Sequence, residues 1–200
     1  MKNKKLIIII SLLFILNTIF VISGITTNMD NSIYSFVSNK LSFLHDYFLF
    51  ITKFGDEEIV IILILLFTLL LSDKRFILLP LIGFIVNSSL KVFIHRDRPS
   101  VLHLVEESSF SYPSGHSMIS VVLYGYLIYY INKHINNKII RNILIGLLIL
   151  IIISIGISRV YVGVHYISDV IGGYLIGLIV LIGGVSYVKN GSKWFLWYIN

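Results

Sequence analysis

The sequence contains no cysteine in its 200 residues. That excludes a disulfide framework, a thiolate nucleophile and any Cys-ligated metal. Proline is scarce, with 3 residues, and charged side chains make up only 13% of the chain, where a soluble domain has about 25%. So small a supply of charge excludes a disordered chain, a soluble nucleic-acid binder and an ordinary cytosolic enzyme. What is abundant is apolar: 56% of residues are hydrophobic, and mean hydropathy is +0.90. The length suits one domain, and residues 1–200 are read as a single domain. The net charge of +6 is placed as membrane topology places it, not as a polyanion partner would require.

A bilayer-spanning helix needs roughly 20 mostly apolar residues. Six stretches approach this: Leu6–Ser23, Ile59–Leu71 with a start near Phe54, Phe76–Ile94, Ser114–Ile131, Ile143–Ile157 and Ile167–Val188. They are apolar on all sides and too long for strands. In lipid the backbone must satisfy its own hydrogen bonds, which a helix does even when rich in Ile. The prediction is an all-α polytopic membrane protein with six transmembrane helices. Met1–Gly24 has the basic start and apolar core of a signal peptide, but the core is long and no A-x-A-like site follows. A retained span is therefore expected.

The connections carry the charge, and they alternate. One set holds Lys2, Lys4, Lys5, Lys74, Arg75, Lys133, Lys138, Arg141, Lys189 and Lys193, with Asp73 as its single acid. The other set holds the remaining nine acids and six basic residues. Positive loops stay in the cytoplasm. Both termini are thus predicted inside, with the loops after the first, third and fifth spans on the extracytoplasmic side. Lys91, Arg98 and Arg159 are outer cations that run against this trend, so each calls for a purpose. In the first outer loop, Ile33, Phe36, Val37, Leu41, Leu44 and Phe48 recur at helical spacing, which predicts a short interfacial helix. His45 in that stretch has no partner nearby in sequence and reads as solvated or interfacial.

Three polar clusters share the outer side. The first closes the third span: Lys91, then Arg98 and Pro99. Alone, it reads equally well as cations snorkelling at a membrane interface. The second, Pro113-Ser114-Gly115-His116, opens the fourth span. A helix start offers free N–H groups and a positive dipole end, a seat for an anion, and glycine removes the side chain that would keep a ligand away. Its plainer reading is a helix cap. The third joins the last two spans: Ser158, Arg159, His165 and Asp169. His165 and Asp169 are four apart, on one face if helical. An Asp on one ring nitrogen fixes the tautomer and frees the other nitrogen to act. The plainer reading is a structural polar pair. If the clusters meet, three cations match a phosphoryl group.

In this order the clusters resemble the type 2 phosphatidic acid phosphatase superfamily of membrane lipid phosphatases. Its motifs are K-x6-R-P, P-S-G-H and S-R-x5-H-x3-D, and all three match without a substitution. The core motifs span residues 91–169, and the resemblance runs roughly from Phe54 to Gly184. It implies that His165 is the nucleophile, forming a phosphohistidine, and that Asp169 orients it. It implies that His116 is the general acid and then the base, and that Lys91, Arg98, Ser114, Gly115 and Arg159 bind the phosphate. No metal and no cofactor are implied. Glu106 and Glu107, adjacent in sequence, read as a solvated loop.

The implied partners are a lipid phosphate and the bilayer, with no nucleic acid. By analogy within the family the first expected substrate is undecaprenyl pyrophosphate, the cell-wall carrier lipid. Phosphatidic acid, phosphatidylglycerol phosphate and diacylglycerol pyrophosphate are close alternatives. A lipid phosphotransferase would use the same intermediate with another acceptor. Vanadium haloperoxidases share the motif logic but are soluble. A non-catalytic transporter or scaffold would tolerate changes at His165 and Arg159.

Overall fold

Long Ile- and Leu-rich runs separated by short polar connections fold into helices stacked side by side. The computed structural model describes the backbone of residues 2–195 and the side-chain surroundings of residues 3–186. Lys189 and Lys193 lie outside the described side chains. Among the described residues there are eight α-helices and no strand. They are α1 (Lys2–Ile22), α2 (Thr27–Lys40), α3 (His45–Thr52), α4 (Glu57–Leu71), α5 (Arg75–Ile94), α6 (Gly115–His134), α7 (Lys138–Tyr161) and α8 (Ile167–Phe195). Four of them are long and apolar enough to cross a membrane: α1, α5, α7 and α8.

The two expected spans outside that set fall short for different reasons. α4 is apolar but has 15 residues, about 22 Å at helical rise. It starts later than the expected Phe54, because residues 53–55 form a 3₁₀ turn and Asp56 is extended. α6 has 20 residues but carries Ser, Tyr and Gly where the other helices carry Ile and Leu. It is the central helix, packed on α5, α7 and α8, with Val122, Leu123, Tyr124 and Tyr126 buried. A helix surrounded by protein has no lipid to satisfy, so its sequence need not be uniformly apolar.

α6 and α8 approach closely through glycine. A Cβ on Gly173 would lie 2.5 Å from the Ser114 carbonyl oxygen, and one on Gly177 would lie 2.8 Å from that of Met118. This small-residue seam draws the start of α8 against the start of α6. At the other end of the bundle Asp73 accepts from Arg75 Nη2 at 2.5 Å and from the Tyr126 hydroxyl at 2.6 Å. The one acid among the more basic set of connections is thus a paired structural group.

The connection between α1 and α4 differs from its expectation. It forms two helices, α2 and α3, joined by a 3₁₀ turn over residues 42–44. Both pack on α7, and α2 buries Asp30 completely. His45 is exposed, as expected, and its Nδ1 lies 3.1 Å from the Tyr161 hydroxyl. The spacing of apolar residues marks the helical segment, but does not show that Asp30, alone among the charged and amide side chains of α2, turns inward.

Candidate active site

All three clusters come to one end of the bundle. Lys91 sits in the last turn of α5, Arg98 in the loop after it, and Gly115 and His116 in the first turn of α6. Arg159 is in the last turn of α7, His165 in the α7–α8 connection and Asp169 in the first turn of α8. Lys91 Nζ donates to Ser109 Oγ and to the Phe110 carbonyl, at 2.9 and 2.7 Å. Arg98 Nη1 donates to the Val164 carbonyl at 2.8 Å and lies 3.4 Å from His165 Nε2.

A guanidinium only donates, so the Arg98 contact assigns the lone pair of His165 to Nε2 and its proton to Nδ1. Nδ1 faces Asp169 Oδ2 at 3.5 Å, longer than a well-formed hydrogen bond. That carboxylate has stronger donors: the Ser111 hydroxyl at 2.5 Å and the Tyr166 N–H at 2.8 Å. The two residues are not on one helical face, because His165 precedes α8. Burial, aided by Arg159 and Arg98, lowers the His165 pKa from 6.5 to about 3 in spite of Asp169. The ring is therefore neutral, as a nucleophile must be.

That shift has a consequence for stability. Between pH 6.5 and about 3 the unfolded chain protonates this histidine and the folded chain does not. The unfolded state binds more protons there, so stability falls as pH falls through that window. The unfolding temperature of the detergent-solubilised protein is expected to drop as pH is lowered from 6.5 to about 3. A His165→Gln variant, with nothing to protonate, should lose part of that slope; an unchanged slope would contradict the burial argument.

Three residues join the site that sequence reasoning did not select. Glu107 bridges the two arginines, with Oε2 3.2 Å from Arg98 Nη2 and Oε1 hydrogen-bonded to Arg159 Nη2. The expected solvated pair of acids is split: Glu106 is exposed, whereas Glu107 turns inward. Burial opposes its charge, yet the two guanidinium groups hold its pKa below the ordinary value. Asp56 Oδ1 lies 2.8 Å from His116 Nε2. A carboxylate oxygen accepts from a ring nitrogen at that distance, so Nε2 carries a proton. Thr52 Oγ1 accepts from Arg159 Nη1 at 2.8 Å.

The glycine at 55 makes the Asp56–His116 contact fit. A Cβ there would sit 2.6 Å from His116 Cδ2. Ser114 is fully buried, and its hydroxyl caps α6 by accepting from the Ser117 N–H at 3.4 Å. Arg159 is 1% exposed, and its Nε has no hydrogen-bond partner among the described residues. A buried N–H without a partner is costly, and an anion in the site would satisfy it.

Beside these groups opens a cavity of about 750 Å³ between α4 and α5. Its polar end is lined by Lys91, Glu107, Gly115, His116 and His165, and its far wall by Ile64, Ile77 and Leu81. From Lys91 to Ile77 along α5 is roughly 20 Å at helical rise. One end of the cavity is built for an anion, the other for hydrocarbon.

Comparison with known proteins points the same way. Residues 61–193 match the family model described as the PAP2 superfamily. Phosphatidylglycerophosphatase B of Bacillus subtilis (strain 168) is 43% identical over 99 residues, covering 48% of this chain and 47% of that relative. The match thus spans about half the length of the curated relative. Among solved structures, the crystal structure of the first transmembrane PAP2 type phosphatidylglycerolphosphate phosphatase from Bacillus subtilis is similar. Its TM-score is 0.77 at 27% identity, over 90% of this chain and 96% of that one. Aquifex aeolicus LpxE has the same fold, with a TM-score of 0.67 at 24% identity over 80% and 96%.

Proposed function

The chain belongs to the PAP2 superfamily, and from that premise we propose that it is a membrane lipid phosphatase working through a phosphohistidine. The observation that carries this is the meeting of Lys91, His116 and His165 at the polar end of a cavity whose other wall is apolar, with Arg98 and Arg159 joined to that end through Glu107. A phosphate enters the cation cluster, displacing Glu107 from the arginines, while the lipid tail lies between α4 and α5. His165 Nε2 attacks phosphorus, and the P–O bond to the lipid breaks. With its Nε2–H held by Asp56, His116 gives the proton on Nδ1 to the departing oxygen, and Nδ1 then takes one from the water that cleaves the P–N bond. Asp169 keeps the His165 proton on Nδ1. Lys91, Arg98, Ser114, Gly115 and Arg159 serve the phosphate, Ser114 by capping the helix whose first amide faces it.

The same reading treats residues 1–200 as one domain with six membrane-crossing helices, α4 and α6 included. A short α4 completes its crossing with the 3₁₀ turn before it. Both termini then lie in the cytoplasm and the site opens on the extracytoplasmic side, supported by the alternation of basic loops.

For substrate we favour phosphatidylglycerol phosphate over undecaprenyl pyrophosphate. The sequence match and the structural match from Bacillus subtilis both carry names for the former. The test is phosphate release by purified protein from phosphatidylglycerol phosphate, phosphatidic acid and undecaprenyl pyrophosphate, with EDTA present throughout. The expected order puts phosphatidylglycerol phosphate first, and chelation is expected to leave the rate unchanged. Preference for undecaprenyl pyrophosphate would reverse the assignment. Phosphate appearing on a second lipid instead of in solution would make the chain a phosphotransferase.

A further inference from the structure

We propose that Arg96, clamped by Asp30 of α2, is a positioning residue that fixes the Asp169 carboxylate behind His165, which makes α2 a working part of the site. This rests on the phosphatase reading above. Neither residue belongs to the three motifs, and Asp30 lies outside the stretch 61–193 that matches the family model.

The geometry is a carboxylate–guanidinium–carboxylate bridge. Arg96 Nη1 donates to Asp169 Oδ1 at 2.5 Å, and Nη2 donates to Asp30 Oδ2 at 2.8 Å. Among the described residues Arg96 is the hydrogen-bond donor to Asp169 Oδ1; the Ser111 hydroxyl and the Tyr166 N–H both go to Oδ2. Without Arg96 that carboxylate is held at one oxygen and free to turn. It would then move relative to His165 Nδ1, which it already meets at the long distance of 3.5 Å.

Arg96 is itself fixed. Its guanidinium lies 4.2 Å from the centre of the Tyr166 ring, and Nη1 also reaches Ser168 Oγ at 2.7 Å. Asp30 is fully buried and accepts from the Ser168 N–H at 3.0 Å and the Ser168 hydroxyl at 2.7 Å. A carboxylate from α2 therefore occupies the N-terminus of α8, where the helix dipole favours it. Burial works against the Arg96 charge, and the two carboxylates more than offset it, holding its pKa above the ordinary value. Packing does not require this arrangement, since apolar side chains of similar volume would stabilise the fold equally well. What it provides is a rigid support for a group that orients the nucleophile.

The test uses full-length protein hydrolysing phosphatidylglycerol phosphate in mixed detergent micelles, with kcat and KM measured separately. Arg96→Gln and Asp30→Asn are each expected to lower kcat by about 10- to 100-fold. KM should change by less than about threefold, because neither side chain lines the cavity. Arg96→Lys keeps the charge without the fork, and should recover part of the loss. Asp30→Asn preserves volume and answers the question if Arg96→Gln does not fold. A kcat within about threefold of wild type in either folded variant, or a loss confined to KM, overturns the inference alone. A wild type that releases no phosphate from any lipid phosphate overturns the phosphatase reading, and this inference with it.

Discussion

Replacing His165 with alanine is expected to lower phosphate release by about 10⁴-fold or more, the scale of losing a covalent nucleophile. The side chain is 2% exposed, so no outside group substitutes for it. Its Nε2 lone pair is turned toward Arg98 at 3.4 Å, on the cation side of the site. The loss should be equal for every substrate, because the same atom attacks phosphorus whatever leaves. Rapid quenching of wild-type turnover should trap protein-bound phosphate that is labile in acid and stable in alkali, as a P–N bond is. The alanine variant should trap none. Residual turnover above about one part in a hundred would remove His165 from the covalent step.

Arg159→Leu is expected to have the second largest effect, a fall in kcat/KM of about 10³-fold. This guanidinium is the most deeply buried cation of the cluster, at 1% exposure. Thr52 and Glu107 hold its two terminal nitrogens, and Nε remains without a partner among the described residues. It is thus aimed before substrate arrives, and its strength grows as water leaves and phosphoryl charge develops. Arg159→Lys should recover no more than about tenfold, because an ammonium cannot span Thr52 and an anion together. Vanadate, which takes the five-coordinate shape of the transition state, reports the same interaction without turnover. Its inhibition constant should rise in step with the loss of kcat/KM. A loss below about tenfold would mean that Arg159 serves packing alone.

The residues legible in sequence are those whose chemistry is written locally. Pro113 to His116 is a helix start within four residues. The long apolar runs declare helices because nothing else satisfies a backbone in lipid. The partners of these groups were not legible, because long-range packing chooses them. Asp56 precedes an apolar run, and its bond to His116 depends on Gly55, which lets the ring close in. Glu107 follows Glu106, and only the course of the loop separates the exposed acid from the half-buried one. Asp30 gave one signal, an acid on a segment with an apolar face, but its partner Arg96 lies 66 positions away. α6 reads in sequence as a span like the rest, and a window of hydropathy does not reveal that it is the helix its neighbours enclose.

The Glu107 bridge carries a consequence for which anions gain entry. A carboxylate on the protein's own chain faces the arginines at an effective concentration in the millimolar range or above. Dissolved phosphate or a small soluble ester must outcompete that resident counter-ion from bulk solution. A head group anchored by its tail is confined to the membrane plane and meets the site at a comparable local concentration. On the proposed phosphatase reading, turnover is an ion exchange in which the tethered carboxylate replaces the leaving inorganic phosphate, so selection is expected to follow where a molecule resides and added phosphate is expected to inhibit little.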